Sequence, residues 1–392
     1  MSKRIIYFDN AATTCPKPEA VYLAQDEYSR RTANPGRGAH KLALDSARRL
    51  FEARTEAAAF LGIKQAERLI FTPGCTYAIN MAIKGLGLKS GDVVVVSAVE
   101  HNAVMRPLQQ LASEIGIVVL MVPYAAKGVV DMHALIKIIL EKHPRLCIFT
   151  EASNVTGELI DVNAVATICG AHKVPLMIDA AQTAGRADYQ LDDLGVSLWC
   201  ASGHKGLFGL PGVGLLYAAP HMDLRPLISG GTGSGSDQFE MPAAYPDHLE
   251  AGTLPGPAIA SLQAGIRFLQ EKGIKTVRDI EDELTRRFLE WAQASQTVRV
   301  FGNRQQGAGI AVVAFDVPGV ACDRVAALLD SQCGIAVRTG LHCAPTAHKA
   351  LGTLSTGLVR ASFSCFNTAE DVDTLCWALA EIRAGRDVGS AV

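Results

Sequence analysis

The stretch LWCASGHKGLFGLPGVG, residues 198–214, sets an unbroken apolar run against a glycine-rich turn that carries Ser202, His204 and Lys205. A strand without polar alternation is buried on both faces, the mark of a mostly parallel sheet covered by helices. The same pattern lies upstream at LIF (69–71), VVVV (93–96), CIFT (147–150) and LMID (176–179). Between these runs, 39–61, 104–115 and 162–172 read as amphipathic helices, and crossovers of that length suit βαβ units. The expectation is an α/β fold, a mostly parallel sheet with helices on both faces.

Farther along, 229–257 lapses into Gly, Ser, Thr and Pro, including GGTGSGS at 230–236, and reads as a functional loop. Helices follow at 258–272 and 275–294, then strands at 311–315 and 336–340, so a second, smaller α+β domain is expected to begin near residue 260. The 392 residues suit two domains. With 49% hydrophobic and 19% charged residues, disorder is excluded. A formal net charge of -2 gives no broad positive field for nucleic acid or anionic lipid, which leaves a small-molecule enzyme as the leading class. The 10 cysteines form no CxxC pair, which argues against a zinc site or a disulfide framework and for a reducing compartment. No apolar run approaches the roughly 20 residues of a membrane span, and the N-terminus shows no secretion signal, so a cytoplasmic location is expected.

Three segments carry chemistry. Lys205, in a turn just after a buried strand, can be desolvated and so present a free amine for a Schiff base; a lone loop lysine would more often be solvated. Asp179 in LMIDAAQTAG (176–185) ends another buried strand, where α/β sheets collect ligands. An aspartate there could hold a pyridinium nitrogen while a lysine holds the aldehyde, the usual protein contribution to pyridoxal phosphate chemistry, or could cap the next helix. Gln182 could reach the phenolic oxygen of the same cofactor. FTPGCTYAINMA (71–82) runs from strand through Gly74, Cys75 and Thr76 into a helix whose first amides could cradle a phosphate, although an ordinary capped helix reads the same way. GGTGSGS lacks the GK[ST] ending of a nucleotide P-loop.

YFDNAATT, GCTYAIN, EHNAVMRP, EASNVTGELID, IDAAQTAGR, SGHKGLFGLPGVG, EAGT, RTGLHCAP and RASFSCFNT occur in that order over about residues 5 to 375. Together they resemble the pyridoxal-phosphate-dependent class V aminotransferases, specifically the cysteine desulfurase branch. The resemblance implies the type I fold of these enzymes, with a large cofactor domain from 16 to 260 and a small domain from 1–15 and 261–392. It implies pyridoxal 5'-phosphate as cofactor and no metal. By position it matches Lys205 to the cofactor-bound lysine, Asp179 to the pyridinium partner and Gln182 to the phenolic contact. His101 matches the histidine stacked on the ring, and Asn154 an asparagine near substrate and cofactor. Thr76, Ser202 and His204 match phosphate ligands, with Cys75 contributing through its backbone. Thr253 matches a threonine lent by the second subunit of a homodimer. Arg360 matches the substrate-carboxylate clamp, a role its planar fork suits, and Cys343 the nucleophile that takes up sulfur as a persulfide. Arg338, His342 and Arg360 are candidates for the cationic surroundings a thiolate needs, although His342 could simply pack and a free cysteine is more often a small buried hydrophobe.

The short spacing from Arg338 to Cys343 resembles the short-loop desulfurases, which implies a dedicated sulfur-acceptor protein. His40 in GRGAHKLA (36–43) matches a segment near the site, yet could equally cap a helix. L-cysteine is the expected substrate. L-selenocysteine, or transamination or β-elimination of another amino acid, is the alternative; a non-catalytic protein that binds the cofactor and works through a partner is the remote one.

Overall fold

The computed structural model describes residues 4–35, 38, 40–125, 129–303 and 309–386. Its strands are β1 (Ile6–Tyr7), β2 (Leu69–Thr72), β3 (Val93–Ser97), β4 (Val118–Val122), β5 (Leu146–Thr150), β6 (Leu176–Asp179), β7 (Leu198–Ser202), β8 (Gly214–Ala218), β9 (Arg299–Phe301), β10 (Val312–Asp316), β11 (Ile335–Ala336), β12 (Arg338–Gly340) and β13 (Leu358–Ser362). The helices are α1 (Glu19–Arg31), α2 (Lys41–Phe60), α3 (Cys75–Gly85), α4 (Asn102–Ile115), α5 (Met132–Lys142), α6 (Val162–Ala171), α7 (Gly256–Lys272), α8 (Ile274–Ser295), α9 (Cys322–Cys333), α10 (Pro345–Ala350) and α11 (Ala369–Arg383).

Seven strands form the central sheet in the order β2-β8-β7-β6-β5-β3-β4. From β7 to β4 all neighbours pair in parallel, because a helix or long connection carries the chain back between them. The link from β7 to β8 is the Lys205 turn and holds no helix, so β8 returns antiparallel and lies between β7 and β2. The expected α/β class with a mostly parallel sheet is therefore present. β5, β6, β7 and β8 are buried along their whole length, as unbroken apolar runs require.

A second sheet, β12-β13-β10-β9, is antiparallel, and β1 pairs in parallel with β11. Two main apolar cores result. One surrounds the central sheet and takes in Ile259, Ile266 and Leu269 of α7. The other joins Phe8, just past β1, to Leu284 and Phe288 of α8, Phe315, Val359 and Leu375. The chain's beginning thus packs with its last third.

Several elements depart from the sequence reading. The helix expected over 39–61 spans Lys41–Phe60, with His40 as its N-cap accepting from the Ala43 amide at 3.3 Å; Ala39 lies outside the described residues. The strand expected over 336–340 is two short ones, β11 and β12, each bound to a different partner strand. β4, β8 and β13 were not anticipated.

Candidate active site

The carboxyl ends of β5, β6 and β7 deliver Thr150, Asp179 and Ser202 to one edge of the sheet, where open α/β folds gather ligands. Together with the start of α3, the start of α4 and the middle of β13 they enclose a cleft of about 290 Å³. Cys75, Thr76, His101, Asn154, Asp179, Gln182, Ser202, His204, Lys205 and Arg360 all line it. Residues as far apart in sequence as Ala11 and Arg360 are thereby brought to one space.

Lys205 reaches the cleft from the turn after β7 and has no ion pair among the described residues. Burial lowers its amine pKa, and Arg360 and Arg338 add to the effect against Cys75 and Asp179. Asp179 accepts hydrogen bonds at Oδ1 from the Ala181 amide (3.0 Å) and the Cys75 thiol (3.6 Å), which leaves Oδ2 for a ligand. Burial pushes the Cys75 thiol far up, so it stays protonated and donates to Asp179. His101 caps α4, its Nδ1 accepting from the Ala103 amide at 3.0 Å. Burial lowers its pKa, so the ring is neutral with its proton on Nε2. Gln182 donates to the Ala11 carbonyl at 3.0 Å and keeps its amide oxygen free.

At the other end, α3 begins at Gly74 with no side-chain cap, so the Cys75 and Thr76 amides are open. Gly214 of β8 backs this turn so closely that a Cβ there would lie 2.4 Å from the Gly74 carbonyl carbon. His204 Nδ1 is buried without a hydrogen-bond partner, and burial beside Lys205 and Lys17 lowers its pKa to about 4.

These features fit pyridoxal 5'-phosphate. They offer a desolvated amine, a carboxylate oxygen in reserve, a neutral imidazole, an uncapped helix start for the phosphate and an orphaned imidazole nitrogen beside the lysine. Among the described residues no cluster of His, Cys, Asp and Glu could hold a metal.

Arg360 is buried and its guanidinium is already held: one arm donates to the Asn154 carbonyl at 2.9 Å and the other to Asp9 Oδ1 at 2.7 Å. Asp9 was quoted within YFDNAATT but given no role, because nothing local marks a partner 351 positions away. Arg338 also lines the cleft. Glu100, beside His101, was likewise passed over. It is fully buried, and its Oε1 accepts from the Ser97 hydroxyl (2.5 Å) and the Thr150 amide (2.8 Å).

Two expected site residues stand apart. Cys343 is exposed and sits one residue beyond His342, which lines the cleft; Cys343 itself does not. Thr253 is absent from its own chain's cleft and lines a separate hollow of about 600 Å³ with Phe51 and Arg54. The EAGT segment is fixed there by Glu250, which takes both arms of Arg54 (2.8 and 2.7 Å) and the Phe71 amide (2.6 Å).

Known proteins resemble the chain over most of its length. The family model described as Aminotransferase class-V matches residues 6–375. A probable cysteine desulfurase of Methanothermobacter thermautotrophicus is 34% identical over 96% of this chain and 94% of its own. Another, of Halobacterium salinarum, is 31% identical over 97% and 92%. Among solved structures, the apo cysteine desulfurase of Thermococcus onnurineus NA1 superposes with a TM-score of 0.91 at 32% identity, covering 97% of this chain and 95% of that one.

Proposed function

Because this chain belongs to the class V aminotransferase family, we propose that it is a cysteine desulfurase, which uses pyridoxal 5'-phosphate to convert L-cysteine to L-alanine and leaves the sulfur on Cys343 for an acceptor protein. The convergence of Lys205, Asp179, His101 and Arg360 in one cleft, with the Cys343 segment at its rim, carries this reading. Bound there, the cofactor supplies an electron sink that makes the substrate's α-proton removable.

The chain's own groups do the rest. Asp179 Oδ2 would hold the ring nitrogen's positive charge, and Gln182, His101 and Asn154 would fix the ring. Thr76, Ser202, His204 and the α3 amides would hold the phosphate, joined in a homodimer by Thr253 of the partner subunit. Arg360 takes the substrate carboxylate, for which it must share or exchange its contact with Asp9. Lys205, its pKa lowered by burial, removes the α-proton and returns it later. The Cys343 thiolate attacks the substrate sulfur. The Cβ–S bond breaks, its electron pair stays with Cβ, which takes up a proton, and the sulfur remains as a Cys343 persulfide.

In this reading the large domain spans 16–260 and the small one 1–15 and 261–392, and the enzyme works in the cytoplasm. Among the described residues no helix is long and apolar enough to cross a membrane. The test is alanine and sulfide release from L-cysteine with a reductant present, comparing the wild type with Cys343→Ser. The variant keeps the visible absorbance of bound cofactor and loses desulfuration by several orders of magnitude; equal turnover would sink the persulfide route.

The position of Cys343 outside the cleft lining favours a second substrate, L-selenocysteine, whose selenolate leaves with less help from a thiol. Turnover of L-selenocysteine that survives Cys343→Ser supports it.

A further inference from the structure

The turn that presents Cys343 is strained and heavily tied. His342 and Cys343 adopt φ of 49° and 57°, two consecutive non-glycine residues in the left-handed region. Such a conformation persists only where its surroundings hold it. Both carbonyls of the turn are engaged at 2.7 Å, that of His342 by the Asn154 side chain and that of Cys343 by the Asn102 amide. These ties come from beside and within the cleft: Asn102 follows His101, and Asn154 lines the cleft with its carbonyl holding Arg360.

The side-chain tie is different in kind. His342 Nδ1 lies 3.4 Å from His348 Nε2, and His348 Nδ1 lies 2.9 Å from the Thr353 hydroxyl. The two rings are nearly parallel, with centroids 5.6 Å apart, and His348 is wholly buried. Burial, with Arg360 and then His348 adding to it, pushes His342 down to about 3, and burial lowers His348 as well, so both rings are neutral. One can then donate to the other without charge repulsion, and the Thr353 hydroxyl completes the string in either tautomer. His348 stands on α10, directly after the turn, and Thr353 follows that helix. The string therefore closes the segment on itself, from the turn across α10.

We propose that His348 is a positioning residue for the reaction: through His342 and Thr353 it locks the left-handed His342–Cys343 turn, so that the Cys343 sulfur is held at the rim of the cleft in line with the substrate sulfur. This rests on the desulfurase reading above. It assigns a role to a histidine that touches neither cofactor nor substrate.

The test compares two reactions of the purified holoenzyme. Desulfuration of L-cysteine needs Cys343 in place; elimination of chloride from β-chloroalanine uses the same lysine and cofactor and needs no thiol. His348→Leu lowers desulfuration about 10- to 100-fold, as an ångström-scale misplacement does, and leaves β-chloroalanine elimination and cofactor absorbance unchanged. Amide hydrogen exchange over residues 341–344 speeds up, while that of α7 does not. His348→Gln, which can still bridge by hydrogen bonds, recovers most of the lost rate. Thr353→Val, a milder change that removes one hydroxyl, lowers desulfuration selectively and by less. If either His348→Leu or Thr353→Val depresses both reactions together, or if neither touches desulfuration, the positioning role is overturned. Cys343→Ser is run alongside: undiminished desulfuration there defeats the persulfide reading itself, a result distinct from any given by His348.

Discussion

Glu100 shows how a single buried group makes stability depend on pH. Burial raises its pKa from the ordinary 4.5 to about 8, against hydrogen bonds from Ser97 and the Thr150 amide that pull it down. A carboxyl whose folded pKa is raised binds a proton in the native state where the unfolded chain has lost it. Its contribution therefore becomes steadily less favourable as pH rises from 4.5 to about 8, and the penalty is complete above that. Glu100→Gln, which mimics the protonated acid, is expected to flatten the fall in unfolding free energy over this range and to exceed the wild type by on the order of a few kcal/mol near pH 8–9. Chemical denaturation at a series of pH values checks it, and a parallel loss in both proteins defeats it. Legibility in the sequence ended where such partners began. Lys205 and Asp179 were visible because each is a charged residue at the end of an apolar run. Glu100 sits equally close to a strand end, but its meaning depends on Thr150, fifty positions on, and that of Asp9 on Arg360. His348 gave no local signal at all, since its partner ring and hydroxyl are assembled only by the turn and α10.

At the level of elements, the Lys205 turn is positioned by backbone against backbone. Gly185, at φ +90°, lies so close to the following loop that a Cβ would stand 2.1 Å from the Gly206 carbonyl oxygen. The side chain of Gly185→Ala has no flexible neighbour to displace, so the turn itself must move. We expect a stability loss of about 1–3 kcal/mol or more together with a marked drop in cofactor affinity, read by titrating pyridoxal phosphate into apo-protein and following visible absorbance; unchanged affinity would show that the contact does not set the lysine. Unbroken apolar runs disclosed β5, β6 and β7. β13 escaped because Arg360, the residue by which the strand lines the cleft, interrupts LVRAS. β8 escaped because its antiparallel return depends on what the preceding turn lacks, a crossover helix.

The molecule as a whole leaves apolar surface that one copy of the chain does not cover. Leu44 and Phe51, seven residues apart on one face of α2, are 61% and 68% exposed, and Phe51 borders the hollow that holds Thr253. A homodimer joined here would cover both and carry Thr253 toward the second copy's cleft. Phe51→Glu is accordingly expected to shift the protein from dimer to monomer in light scattering and to weaken cofactor binding in step. A monomeric wild type, or a monomeric variant with full cofactor affinity, would contradict this arrangement. The ion pair between Asp9 and Arg360 has a consequence for synthesis. Its partners leave the ribosome 351 residues apart, on the order of 20 to 70 seconds of elongation. Through that interval the nascent chain can form most of the central sheet and yet lacks the arginine proposed to take the substrate carboxylate. A truncated product stopped before β13 therefore lacks Arg360, and Asp9, far from Lys205 in sequence, stays without that partner until the last strand emerges.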